Sequence, residues 1–291
     1  MQTEICTLQI PQRPEAIRPA SLQAHTISYY KWGSVGEVVL CVHGLTRLGR
    51  DFDILAEQLS EKYQVICVDM PGRGNSEWLK EPADYNYATY VEDIFFLLDS
   101  LNIKAVHWIG TSMGGIIAMT AANLRSGLIR TLVLNDVGCL IPAASLQRIL
   151  NYAGVQMHFA GRQEAEQHLR LICKPFGITE EAHWQHLFKY ILRELQDGAY
   201  TLHYDPAIIT PLKSAEIKDV SLWHLWEALK QIPIMLIRGM ESDLLLPETA
   251  KLMVQQHPRL TLVEIQGAGH APALMSAHEI NTIRRWLDTN R

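Results

Sequence analysis

At 291 residues, with 48% hydrophobic and 20% charged, the chain is long enough to bury a sizeable core as one large domain or two. A formal net charge of −5 supplies no broad positive field, which argues against nucleic acid or an anionic membrane surface as the main partner and leaves a small-molecule substrate. The N-terminus lacks a basic stretch leading into an apolar one, and no later apolar run has the length of a membrane span, so a cytoplasmic protein without a membrane partner is expected.

Residues 1–20, interrupted by Pro11, Pro14 and Pro19, read as an irregular arm. Residues 25–32 alternate as an edge strand, and 37–42 form a continuous apolar run that ends at His43-Gly44, as a central parallel strand does. A helix over 51–62 and a strand over 64–69 complete a βαβ unit. The turn Asp69 to Ser76 follows, then a helix over 90–101, a strand over 105–109 and a helix over 116–124. A strand over 129–134 continues the alternation, which calls for an α/β fold: a mostly parallel sheet with helices on both faces. From 139 to 231 the pattern turns helical and aromatic, with helices over 142–152, 163–173 and 179–195 and a last stretch over 222–229. That segment reads as an inserted helical cap between core segments 1–138 and 232–291. The sheet resumes with strands at 234–237 and 260–265 and helices over 247–256 and 272–287.

The chemistry centres on Gly110-Thr111-Ser112-Met113-Gly114. A serine on a sharp strand-to-helix turn is held in strained geometry with its hydroxyl exposed, and flanking glycines leave room for that turn. A serine hydroxyl needs a base, and the base needs an orienting group. His270, just past one strand, is the candidate base. Asp243, just past another, is the candidate acid; Asp136 also follows a strand and could reach the same histidine, but the expected order Ser, Asp, His favours Asp243. Backbone donors for a developing oxyanion come from Met113 N–H, at a helix start, and from Leu45 N–H, in the turn after His43-Gly44.

These residues resemble the alpha/beta-hydrolase family, in its cap-bearing serine hydrolases. His43-Gly44, the Asp69 to Ser76 turn, the Ser112 elbow, Asp243 and Gly269-His270 stand in the family's order. The resemblance implies hydrolysis of a small carboxylic ester, thioester or lactone through an acyl-enzyme, with no cofactor. The elbow is also similar to those of carbon-carbon bond hydrolases and cofactor-free perhydrolases, and a non-catalytic receptor on the same fold is a third reading.

Other residues have simpler readings. The five cysteines, irregularly spaced, fit buried free thiols. Asp69 organises its own turn, His43 shapes the donor turn, and His107 sits in an apolar strand as a satisfied core histidine. His183 and His186, three apart on one helix, lack a carboxylate or cysteine in register, so no metal site is expected. Arg47, Arg50 and Arg73 lie near the mouth, where pairing with Asp51, Asp53 or Glu77 competes with holding an anionic substrate group. In the cap, Tyr152, Phe159, Trp184, Trp223 and Trp226 are candidates for an apolar pocket, against plain packing.

Overall fold

The structure, a computed structural model, describes residues 3–12 and 23–290. In chain order the first part runs β1 (Glu4–Ile10), β2 (His25–Trp32), β3 (Val38–Val42), α1 (Asp53–Leu59), β4 (Gln64–Asp69), α2 (Tyr87–Ser100), β5 (Val106–Thr111), α3 (Met113–Leu124) and β6 (Ile129–Asn135). The next segment carries β7 (Leu140–Ile141), α4 (Ala143–Tyr152), α5 (Arg162–Ile172), α6 (Glu181–Ile191), β8 (Leu192–Glu194), β9 (Tyr200–Leu202), α7 (Thr210–Lys213), β10 (Val220–Ser221) and α8 (Trp223–Trp226). The chain closes with β11 (Ile234–Gly239), α9 (Pro247–Gln256), β12 (Leu260–Ile265) and α10 (Ala277–Thr289).

Among the described residues, eight strands form one sheet in the order β1-β2-β4-β3-β5-β6-β11-β12. It is parallel from β4 to β12, with β1 and β2 antiparallel at one side. The continuous apolar runs follow from burial on both faces. In β3, Val39 and Cys41 join Leu55 and Leu59 of α1 and Ile283 and Leu287 of α10 on one face. Leu40 and Val42 join Ile94 and Leu98 of α2 and Ile117 of α3 on the other. Because the neighbours are parallel, the turns after β3, β5, β6 and β12 leave the sheet from one edge, where ligand sites of such sheets form. No helix among the described residues is long and apolar enough to cross a membrane.

Several boundaries differ from expectation, each for a local reason. Residues 4–10 of the expected irregular arm are a strand, with Cys6, Leu8 and Ile10 turned inward against β2; the prolines begin only at Pro11, and 13–20 lie outside the described residues. That strand takes the edge from β2, which pairs on both sides. The helix expected from residue 90 starts at Tyr87, because the Asn86 side chain accepts from Thr89 N–H. The last helix starts at Ala277, not 272, behind a capping box of Ser276 and Glu279. The helix expected over 179–195 ends at Ile191. The chain then turns at Gly198 (φ +82°) into a hairpin of β8 and β9, for which Asp197-Gly198 is the hairpin signal.

Candidate active site

Thr111 ends β5, Met113 opens α3, and Ser112 between them has φ +50° and ψ −113°, a strained region for a residue with a Cβ. The flanking glycines are required by close approach. A Cβ at Gly110 would lie 2.5 Å from the Gly114 carbonyl oxygen, and one at Gly114 would lie 2.0 Å from that of Val42.

His270 Nε2 lies 3.0 Å from Ser112 Oγ, and its Nδ1 lies 2.8 Å from Asp136 Oδ2. A carboxylate accepts only, so Nδ1 carries the proton and donates it to Asp136, leaving Nε2 as the acceptor for the serine hydroxyl. Asp136 is fully buried just past β6. Its Oδ1 accepts from Gly239 N–H at 2.8 Å, and its Oδ2 also accepts from Ser242 Oγ at 2.5 Å. Ser242 Oγ in turn accepts from the N–H groups of Leu244 and Leu245. These donors hold a buried negative charge that would otherwise be costly.

The acid position is therefore a correction. Asp243, expected to orient His270, is about half exposed and takes a two-pronged contact from Arg148 of α4 at 2.5 and 2.8 Å. The loop after β11 does approach the histidine, but Ser242 is the residue it turns inward. Asp136, the weighed alternative, sits in its place with φ +55°. Ser242 and the Gly239 N–H were not anticipated, and nothing short of the strand pairing of β6 with β11 would have indicated them.

Among the described residues neither Leu45 N–H nor Met113 N–H donates to a main-chain oxygen; the bonds that close these turns come from Arg47 N–H to Gly44 and from Gly115 N–H to Ser112. Both residues border a cavity with Ser112. The first turn is fixed from below. His43 is buried; its Nδ1 donates to Gly44 O at 2.7 Å and its Nε2 accepts from Met70 N–H at 3.0 Å. Burial pushes its pKa down to about 3, so it is neutral. Arg73, expected to reach a surface carboxylate, is instead fully buried. Its Nε donates to Leu45 O at 2.8 Å and its Nη1 to Pro71 O and Tyr90 Oη. It clamps the carbonyl of the residue whose N–H is the candidate donor.

Asp69 organises its own turn, taking Gly49 N–H at 2.7 Å, Asn75 N–H at 2.9 Å and Tyr30 Oη–H at 2.6 Å. Burial still pushes its carboxyl from an ordinary 3.8 up to about 6. Between about pH 6 and 4 the folded chain then holds a proton the unfolded chain lacks, so this group's contribution to stability grows as pH falls and is lost as pH rises through 6. Asp69→Asn removes that response. Its stability deficit relative to wild type is expected to be about 2 kcal/mol larger at pH 4 than at pH 7 in urea unfolding; an equal deficit at both would contradict it.

Of the candidate pocket residues, Arg47 lines the cavity at Ser112, together with Tyr152. Arg47 and Arg50 pair with Asp51 and Asp53, and both pairs are largely buried. Trp184 packs on Phe188 and under Arg170, and Phe159 packs on His168, away from that cavity. Trp223 and Trp226 line a separate cleft with Leu252 and Gln256 of α9. At helical spacing these aromatics pack segment 139–231 onto itself and onto α9. His107 Nδ1 meets Thr131 Oγ1 at 2.8 Å inside the sheet. His183 lies 3.7 Å from Glu180, and His186 Nε2 donates to Arg50 O at 2.8 Å, so the two imidazoles have separate partners. The cysteines are free thiols, and burial pushes Cys139 up to about 12 and Cys173 up to about 11.

A family model described as the alpha/beta hydrolase fold matches residues 37–275. The 3-hydroxybutyrate-oligomer hydrolase of Cupriavidus necator is 38% identical over 276 residues, covering 91% of this chain and 93% of its own. A crystal structure from Rickettsia typhi superposes with a TM-score of 0.93 at 38% identity, over 99% of this chain and 100% of the other. An alpha/beta hydrolase from Novosphingobium aromaticivorans gives 0.85 at 31%, over 99% of each.

Proposed function

The chain belongs to the alpha/beta hydrolase family and is a hydrolase, and from that premise we propose that it cleaves carboxylic esters through an acyl-enzyme on Ser112. The observation that carries the reading is the unbroken chain from Ser112 Oγ through His270 to buried Asp136. In this reading Ser112 Oγ attacks the ester carbonyl carbon as His270 Nε2 takes its proton. The oxyanion is held by Leu45 and Met113 N–H, and His270 returns the proton to the departing alcohol oxygen. Water then adds to the acyl carbon with His270 as base and frees Ser112. Asp136 fixes the tautomer and stabilises the imidazolium. The helical segment 139–231 acts as the cap, since its Tyr152, Phe176 and Leu187 line the cavity over Ser112.

The Cupriavidus necator relative, named for 3-hydroxybutyrate oligomers, supports short hydroxyacid esters as the first substrates to try. Acid quenching during turnover of a p-nitrophenyl ester is expected to trap one acyl group on Ser112 by peptide mass, and a fluorophosphonate to label the same residue. Labelling elsewhere, or a strong preference for a vinylogous diketone over esters, would overturn the reading.

A further inference from the structure

Ser112 lies on the wall between two cavities. Both are bordered by Leu45, Ser112 and Ile149. Their chemistry differs. The first contains His270, Tyr152, Phe176, Arg47 and Asp51. The second is bordered by Met113, Ile116, Val137, Leu146 and Leu212, an almost wholly apolar surface that His270 does not reach.

This asymmetry gives an ester a direction. The departing alcohol must receive its proton from His270 Nε2, so it lies on the side that His270 borders. The acyl group then extends into the other, apolar cavity. On the alcohol's side stands Arg47, whose backbone N–H closes the same turn that carries Leu45 N–H. Arg47 and Ser112 both flank Gly44: a Cβ placed there would be 3.6 Å from Arg47 Cγ and 3.7 Å from Ser112 Cβ. Asp51 grips one edge of the guanidinium, at 2.6 Å on Nε and 2.7 Å on Nη2, and the group lies 5.2 Å over the Phe176 ring. A guanidinium is a planar fork with a second edge, formed by Nη1 and the other Nη2 hydrogen, and it stays charged at any working pH. Held rigid and largely out of water, that edge matches a carboxylate two-pronged.

We propose that Arg47 recognises the carboxylate of a hydroxyacid leaving group, so that an oligomeric hydroxyester is cut at its carboxylate end, one unit per turnover, with the rest of the chain in the apolar cavity. This rests on the reading that Ser112 cleaves esters. Each turnover adds one water: the acyl carbon–oxygen bond breaks, the freed hydroxyacid keeps its carboxylate and gains the proton from His270, and the acyl-enzyme yields the shortened oligomer.

The test compares kcat/KM for a 3-hydroxybutyrate dimer with that for the same dimer ending in a neutral carboxamide. The wild type is expected to prefer the acid by about tenfold to hundredfold, the range of a charged hydrogen-bonded contact. In Arg47→Gln the ratio is expected to fall to near one, and Arg47→Lys to restore part of it. A structural role would lower both substrates together and leave the ratio unchanged. Should Arg47→Gln fail to fold, a trimer isotopically labelled in its carboxylate-end unit decides with wild-type enzyme alone: the label is expected first in monomer. Label appearing first in dimer, a wild-type ratio near one, or a ratio unmoved by Arg47→Gln each overturns the proposal while esters are still turned over. Absence of any Ser112-dependent turnover overturns the ester reading beneath it.

Discussion

Replacing Ser112 with alanine is expected to lower kcat for a p-nitrophenyl ester by about 10⁴- to 10⁶-fold while leaving the thermal midpoint close to, or above, that of the wild type. The loss follows from removing the oxygen that His270 Nε2 meets at 3.0 Å. In the proposed mechanism what survives is binding and oxyanion stabilisation of attack by water, which the Leu45 and Met113 N–H groups would still supply. Stability should hold because Ser112 makes its fold-defining contacts through the backbone: its N–H donates to Asn135 O, and its carbonyl accepts from Gly115 and Ile116. The φ of +50° strains any residue with a Cβ, alanine included. Steady-state kinetics beside a calorimetric scan check both halves. Ester turnover within tenfold of wild type would sink the acyl-enzyme mechanism, and a collapsed thermal midpoint would show that the hydroxyl supports the fold.

Much of this arrangement was legible from residue pattern. The Ser112 turn and His270 could be placed because each directly follows a strand whose apolar run is long enough to be read alone. The parallel sheet could be placed because Leu40, Val42, Val39 and Cys41 all have to be apolar when helices cover both faces. The acid was harder. Asp136 and Asp243 both follow strands, and the choice depends on which side chain the β6–β11 pairing turns inward, a tertiary fact. Exposure separates them, since Asp136 is buried and Asp243 is half open, but burial of a single polar residue leaves no periodic trace. The aromatics of segment 139–231 were ambiguous for a related reason: helical spacing puts Trp184 on the apolar face of one helix and Trp223 and Trp226 on another, not which surface each face meets. Arg73 shows the same limit. A buried guanidinium that finds carbonyls and a tyrosine hydroxyl in place of a carboxylate reads, in sequence, like any loop arginine.

Asp136→Asn and Asp243→Asn therefore separate two positions that each follow a strand and each stand between Ser112 and His270 in the chain. At 136 the amide keeps the shape but can present its N–H₂ to His270 Nδ1, which favours the tautomer whose Nε2 carries the proton and cannot accept from Ser112. It also loses the charge that stabilises the imidazolium, so kcat is expected to fall by about 10³- to 10⁴-fold. Part of the remaining order persists, because Gly239 N–H still has an oxygen to meet. At 243 the change breaks an exposed ion pair with Arg148, an interaction worth about 1 kcal/mol or less, and kcat/KM is expected to stay within about threefold of wild type. Ser242 makes the contrast sharper. Its hydroxyl reaches Asp136 from the very loop that holds Asp243, so Ser242→Ala is expected to lower kcat, more modestly than Asp136→Asn, by freeing the carboxylate on one side. A large kcat loss at 243, with none at 136, would return the acid to the loop after β11.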